Sequence, residues 1–149
     1  MASKNFIAFL IILIGGVWSQ TPPLVFGSIL LPKQIQTGKN IDITITIPSP
    51  WHIQSHKPDD QFAFPSQLTL RSESLEFGNI IWPKPEIGFD QILQIKTSTF
   101  SKTIHISVPI KKIKKVKKHS LQAKFEYQSC GNGLCLAPAQ IILTSPKND

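Results

Sequence analysis

The chain predicts an all-β fold, a sandwich of short strands in one domain. Three observations predict it. Apolar and polar residues alternate with period two in several short runs. Gly and Pro punctuate the gaps between those runs. Beyond the N-terminal apolar stretch, no segment carries a helical stripe.

The first element is not part of that domain. Met1 to Asn5 is short and basic, Phe6 to Val17 is an uncharged apolar run, and Val17-Trp18-Ser19 suits a cleavage site before Gln20. The run is about 12 residues, short of the roughly 20 that span a bilayer. Residues 1–19 are therefore expected to be a signal peptide and residues 20–149 the exported domain, with its core at about 26–143. Removing residues 1–19 removes only Lys4 among charged residues, so the formal charge falls from +7 to +6. No cysteine lies near the cleavage site, which excludes a lipoprotein anchor there.

The candidate strands follow in order. Ile41 to Ile47 alternates for seven residues and stops at Pro48. Gln67 to Arg71 repeats the pattern on a smaller scale. Ile92, Leu93 and Ile95 mark a third. Thr103 to Val108 alternates up to Pro109, Leu121 to Gln128 follows, and Ala139 to Thr144 closes the series. Six or more short strands of this kind suggest an immunoglobulin-like β-sandwich.

Cys130 and Cys135 are the only cysteines. In the strand from Leu121, the apolar parity is Leu121, Ala123, Phe125 and Tyr127. Cys130 continues the other parity, with Gln122, Lys124, Glu126 and Gln128, and so points away from the main core if the strand stays regular. Gly131-Asn132-Gly133 supplies residues that tolerate positive φ, as a tight hairpin needs. Export lets a disulfide persist. A ring this short contributes only about 2 kcal/mol by loop entropy. From spacing alone, the pair is either a small hairpin staple or a redox centre.

Other clusters carry less. His52 and His56 beside Trp51 do not make a metal set of recognised spacing, and neither a metal nor a cofactor is expected. Six lysines crowd Lys111 to Lys118, with Ile113 and Val116 between them. They suit a solvated edge that discourages aggregation, with weak contact to an anionic membrane as the other reading. Nucleic acid is not expected, because export removes the opportunity and no aromatic residue interleaves the lysines.

The order of landmarks adds a resemblance. Trp51 to Pro58 leads, followed by Phe64-Pro65 and Ile81-Trp82-Pro83-Lys84-Pro85-Glu86. Tyr127-Gln128-Ser129-Cys130 and Cys135-Leu136-Ala137-Pro138 close it. This resembles the N-terminal periplasmic domain of the DsbD thiol–disulfide interchange proteins, from about Phe26 to Leu143. The resemblance implies that Cys130 and Cys135 form a reversible catalytic pair flanked by Tyr127, Gln128 and Pro138. It implies a cap loop from Pro83 to Asp90, with Phe89 as the shielding aromatic and Glu86 or Asp90 as the acid. It implies a component of protein-disulfide reduction, with thioredoxin-fold proteins as partners and Cys135 as the sulfur that holds them. The chain ends at Asp149 without the membrane carrier of full DsbD, so the donor is expected to be a separate polypeptide. Thr99-Phe100-Ser101-Lys102 departs from the Tyr-Glu-Gly-like stretch of many members. The rival reading is a non-catalytic immunoglobulin-like binding module with a structural bridge.

Overall fold

A computed structural model describes residues 25–90, 94–114 and 120–145. The signal segment 1–19, Ile92, Leu93, Lys115, Lys117 and Lys118 lie outside the described residues, as does the side chain of Asp90.

Alternation becomes strands wherever it places β-branched residues opposite one another. β1 (Phe26–Leu30) pairs with β2 (Asn40–Thr46), and β2 pairs with β8 (Thr103–Ile113). Across β2 and β8 the register sets Ile41 against Val108, Ile43 against Ile106 and Ile45 against Ile104. These rows fill one face of the sheet, and such cross-strand pairs stabilise it. β5 (Leu75–Phe77) completes the sheet, in the order β1-β2-β8-β5, with a register shift between Glu76 and Phe77.

The opposing strands form two sheets. The three-stranded one runs β12-β9-β4, from β12 (Ala139–Thr144), β9 (Gln122–Tyr127) and β4 (Gln67–Arg71). The five-stranded one runs β11-β10-β3-β7-β6. Its members are β11 (Leu134–Cys135), β10 (Ser129–Gly131), β3 (His52–Gln54), β7 (Ile95–Ser101) and β6 (Glu86–Asp90). Gln128 alone separates β9 from β10, so the chain passes from one sheet into the next there.

One hydrophobic core joins all three sheets. It includes Ile43 and Ile106 from the first, Phe125 and Tyr127 from the second, and Ile53 and Phe100 from the third. The architecture is an all-β sandwich.

Several short strands depart from the sequence expectation. β1, β3, β5 and β6 hold three to five residues each, too few for alternation to stand out. Of the lysine-rich segment, Lys111 and Lys112 lie at the end of β8, beyond its pairing with β2 and alongside β5. Lys114 pairs with Glu76 at 3.8 Å, on the other side of the sandwich from the cysteines.

Candidate functional site

The site is a hairpin at one edge of the five-stranded sheet. β10 and β11 pair with Gly131 opposite Leu134 and Cys130 opposite Cys135. Only Asn132 and Gly133 remain for the turn, with φ of 52° and 75°. A two-residue turn with both central φ values positive is the favoured hairpin connection, and Asn-Gly is its preferred sequence. Gly131 is needed for a different reason. A Cβ there would meet the Trp51 ring at 3.0 Å, so that ring packs directly on the hairpin backbone.

Direct opposition brings the cysteines together. Their Cα atoms are 4.1 Å apart and their sulfurs are bonded. That is close to the roughly 4.5 Å of a non-hydrogen-bonded antiparallel pair, the narrower kind.

Parity then decides what surrounds the sulfurs. Ser129 pairs with Ile53, and Ile53 with Phe100, along the core-facing side of the sheet. Cys130 pairs with His52, and His52 with Ser101, along the outer side. Cys130 therefore points away from the main core, as the regular alternation from Leu121 requires. It is nevertheless only 4% exposed, whereas Cys135 is exposed. Gln54 lies two residues from His52 on the same face, and its Nε2 is 3.8 Å from Cys130 Sγ.

The flanking residues have distinct positions. Gln128 donates from Nε2 to the Leu136 carbonyl at 3.0 Å and accepts from the Phe64 backbone N–H at 3.4 Å. The Leu136 N–H donates to the Ser129 carbonyl at 2.9 Å. Together these bonds tie the chain after Cys135 back to the chain before Cys130. Tyr127 is a core residue, stacked on Phe125 at 5.8 Å, and burial pushes its phenol pKa up. Pro138 is exposed between β11 and β12.

The segment expected as a cap loop is built differently. From Glu86 to Asp90 it is strand β6, paired with β7 at the edge of the sheet opposite β11. Phe89 pairs with Lys96, so its side chain takes the core-facing parity with Ser98 and Phe100, opposite the cysteines. It is 58% exposed. The fold does not bring Phe89 to the sulfurs. Asp90 pairs with Ile95 through the backbone. Glu86 has the outer parity, and its Oε1 accepts from Ser101 Oγ at 2.7 Å. The reason for the difference is pairing: β7 has a free edge, and the Glu86 to Asp90 backbone satisfies it.

His52 and Gln54 are the residues that alternation missed. Both sit in a three-residue strand, and the cross-strand register alone reveals their neighbours. Burial holds His52 below its ordinary pKa, while the Glu86 carboxylate pulls the other way. His56 is separate. It stacks on Trp82 at 4.9 Å, and burial, with Lys57 beside it, lowers its pKa. Its Nδ1 is buried without a partner. No group of three or more metal-ligating side chains occurs among the described residues.

Comparisons with known proteins give the family and the fold. The family model described as thiol:disulfide interchange protein DsbD, N-terminal, matches residues 27–145. The crystal structure of the Neisseria meningitidis DsbD N-terminal domain in the reduced form is similar in fold. Its TM-score is 0.52 at 13% identity, over 83% of this chain and 87% of that one. A complex of the DsbD N-terminal and PilB N-terminal domains, also from Neisseria meningitidis, gives a TM-score of 0.49 at 12% identity. That match spans 70% of this chain and 73% of the other. No curated protein sequence matches the chain.

Proposed function

The chain belongs to the family of DsbD N-terminal domains, and from that premise we propose that its Cys130–Cys135 bridge opens and closes to pass electrons between proteins. The observation that carries this reading is the asymmetry of the pair. An exposed Cys135 is bonded to a buried Cys130 on a hairpin at a sheet edge. A bridge meant only to fasten the hairpin has no need for one accessible sulfur, and accessible bridges are the exchangeable ones.

The exchange runs as follows. A thiolate of a thioredoxin-fold partner attacks Cys135 Sγ. The Cys130–Cys135 bond breaks, a disulfide forms between the partner and Cys135, and the electron pair leaves on Cys130. The partner's second thiolate attacks the partner sulfur of that mixed disulfide and releases Cys135. The domain has gained two electrons and the partner has become a disulfide. Delivery to an oxidised partner is the reverse sequence. A separate membrane carrier of the DsbD type is the proposed counterpart in the relay. Shielding by Phe89 does not enter this reading, because the register sets Phe89 on the far face.

The reading also puts the domain outside the cytoplasm, with residues 1–19 removed. Protein recovered from the cell envelope should begin at or near Gln20. A start at Met1 or Ala2 in membrane pellets would support a retained anchor.

Trapping tests the exchange. Reduced Cys130→Ser protein, mixed with an oxidised thioredoxin-fold protein of the same compartment, should accumulate a mixed disulfide through Cys135. Cys135→Ser should trap on the order of ten times less, since its remaining thiol is buried and access governs the attack. Equal trapping would overturn the assignment of Cys135, and no trapping by either variant would overturn the relay.

A further inference from the structure

One row of side chains crosses the outer face of the five-stranded sheet. It runs Cys135, Cys130, His52, Ser101, each directly opposite the next. Directly opposed residues have Cβ atoms about 4.5–5.5 Å apart, so His52 is the immediate cross-strand neighbour of Cys130. Gln54 Nε2 approaches the same sulfur at 3.8 Å. On the other flank, Ser101 Oγ donates to Glu86 Oε1 at 2.7 Å.

The charged groups around this row are few. β6 supplies Glu86, and Lys84, Lys102 and His105 line the same shallow hollow as Glu86 and Ser101. β10 and β11 supply none, being Ser-Cys-Gly and Leu-Cys. The outward residues of β3 and β7 beside His52 are Gln54, Thr99 and Ser101, all uncharged. His52 is the one group facing Cys130 along the row that can both take and give a proton near neutral pH.

Cys130 needs such a group. It is 4% exposed, and burial disfavours a thiolate. Yet the interchange requires a thiolate at Cys130 twice, as leaving group when the bridge opens and as attacker when it closes. We propose that His52 is the proton carrier for Cys130, giving its proton to the departing sulfur as the bridge opens and taking it back as the bridge closes. The inference rests on the interchange reading above.

Each step balances. On opening, the partner thiolate bonds to Cys135, Cys130 leaves with the electron pair, and the His52 imidazolium protonates it. On closing, neutral His52 removes the Cys130 proton and Cys130 attacks Cys135 Sγ in the mixed disulfide. The Cys130–Cys135 bond re-forms, and the partner sulfur leaves as a thiolate. Glu86, held through Ser101, steadies the imidazolium while the bridge is closed. Burial keeps His52 below its ordinary pKa, so the neutral form that accepts a proton is present at neutral pH.

The test is the pH profile of bridge reduction by dithiothreitol, with each rate divided by the thiolate fraction of the reagent. In the wild-type protein the corrected rate should fall about tenfold as pH rises through the His52 titration. His52→Gln should abolish the step and stay near the high-pH level. Glu86→Gln should move the step to lower pH, and Glu76→Gln, in β5 of the opposing sheet, should leave it in place. A second readout needs no variant at His52. The imidazole titration followed by NMR should differ between the reduced wild type and the oxidised protein, and reduced Cys130→Ser should lose that difference. A step that persists in His52→Gln, or an imidazole titration indifferent to the redox state, overturns the inference while leaving the interchange reading intact. A native bridge that dithiothreitol does not reduce overturns both.

Discussion

In the β2–β8 pair, Ile43 faces Ile106 and both are fully buried. In the β10–β11 pair, buried Cys130 faces Cys135, which is exposed. Both are rows of directly opposed residues in antiparallel strands, and the same period-two geometry builds both. They differ in what lies beyond the row. The isoleucine row is covered by a second layer containing Phe125, Phe100 and Ile53. The cysteine row lies on the outer face, at a sheet edge, with polar neighbours His52, Gln54 and Ser101. One region holds the fold together, and the other can change its bonding without opening the core.

The sharpest way to break this comparison is to damage the core. Phe125→Ala removes a fully buried ring and should cost about 3–5 kcal/mol in chemical denaturation. A loss under about 1 kcal/mol would show that the core does not carry the fold as argued. Replacing both cysteines, with Cys130→Ser and Cys135→Ser together, should cost at most about 2 kcal/mol, because the ring closed by the bridge is short. It should leave cooperative unfolding in place and abolish thiol exchange. Loss of cooperative unfolding would make the bridge a staple that the fold cannot spare.

Much of the core region could be read from the chain because its strands are long. Seven residues from Asn40 and eleven from Thr103 give alternation room to repeat. The hairpin turn was readable for a local reason: Asn132-Gly133 is a turn sequence whatever surrounds it. The outward parity of Cys130 was readable because no bulge interrupts the chain between Leu121 and Gly131. His52, Gln54 and Glu86 were not visible as one group. Their meeting depends on the pairing of β3 with both β10 and β7, and of β7 with β6. The β3 pairings join residues far apart in the chain on strands of three residues, too short for local alternation to fix a register. The parity of Phe89 was not readable either, because β6 is only five residues long and its face follows only from the pairing with β7.

Smaller effects sharpen the contrast at its margins. His52 and His56 both have pKa values lowered by burial. The unfolded chain then binds more protons than the folded one below about pH 6.5, so stability should hold above that value and fall as pH drops through it. His56→Phe keeps a ring against Trp82 and removes one of the two titrations. Its stability should fall less steeply between about pH 6.5 and 5, followed by denaturation at each pH. An unchanged slope would show that His56 protonation is not linked to folding. Phe89→Ala should do least, changing stability by under about 0.5 kcal/mol, as surface substitutions usually do. The reduction rate of the native bridge by a small thiol should not change. A faster rate would bring Phe89 back to the sulfurs as a shield.

The reduction potential of the Cys130–Cys135 bridge tests the central claim most directly. Equilibrating the folded protein in graded dithiothreitol or glutathione buffers and counting free thiols gives it. The account predicts a reversible two-electron transition at a potential above about −300 mV, within reach of cellular thiol couples. A potential well below about −300 mV, where structural disulfides lie, would contradict it and leave the bridge a fastening of the hairpin.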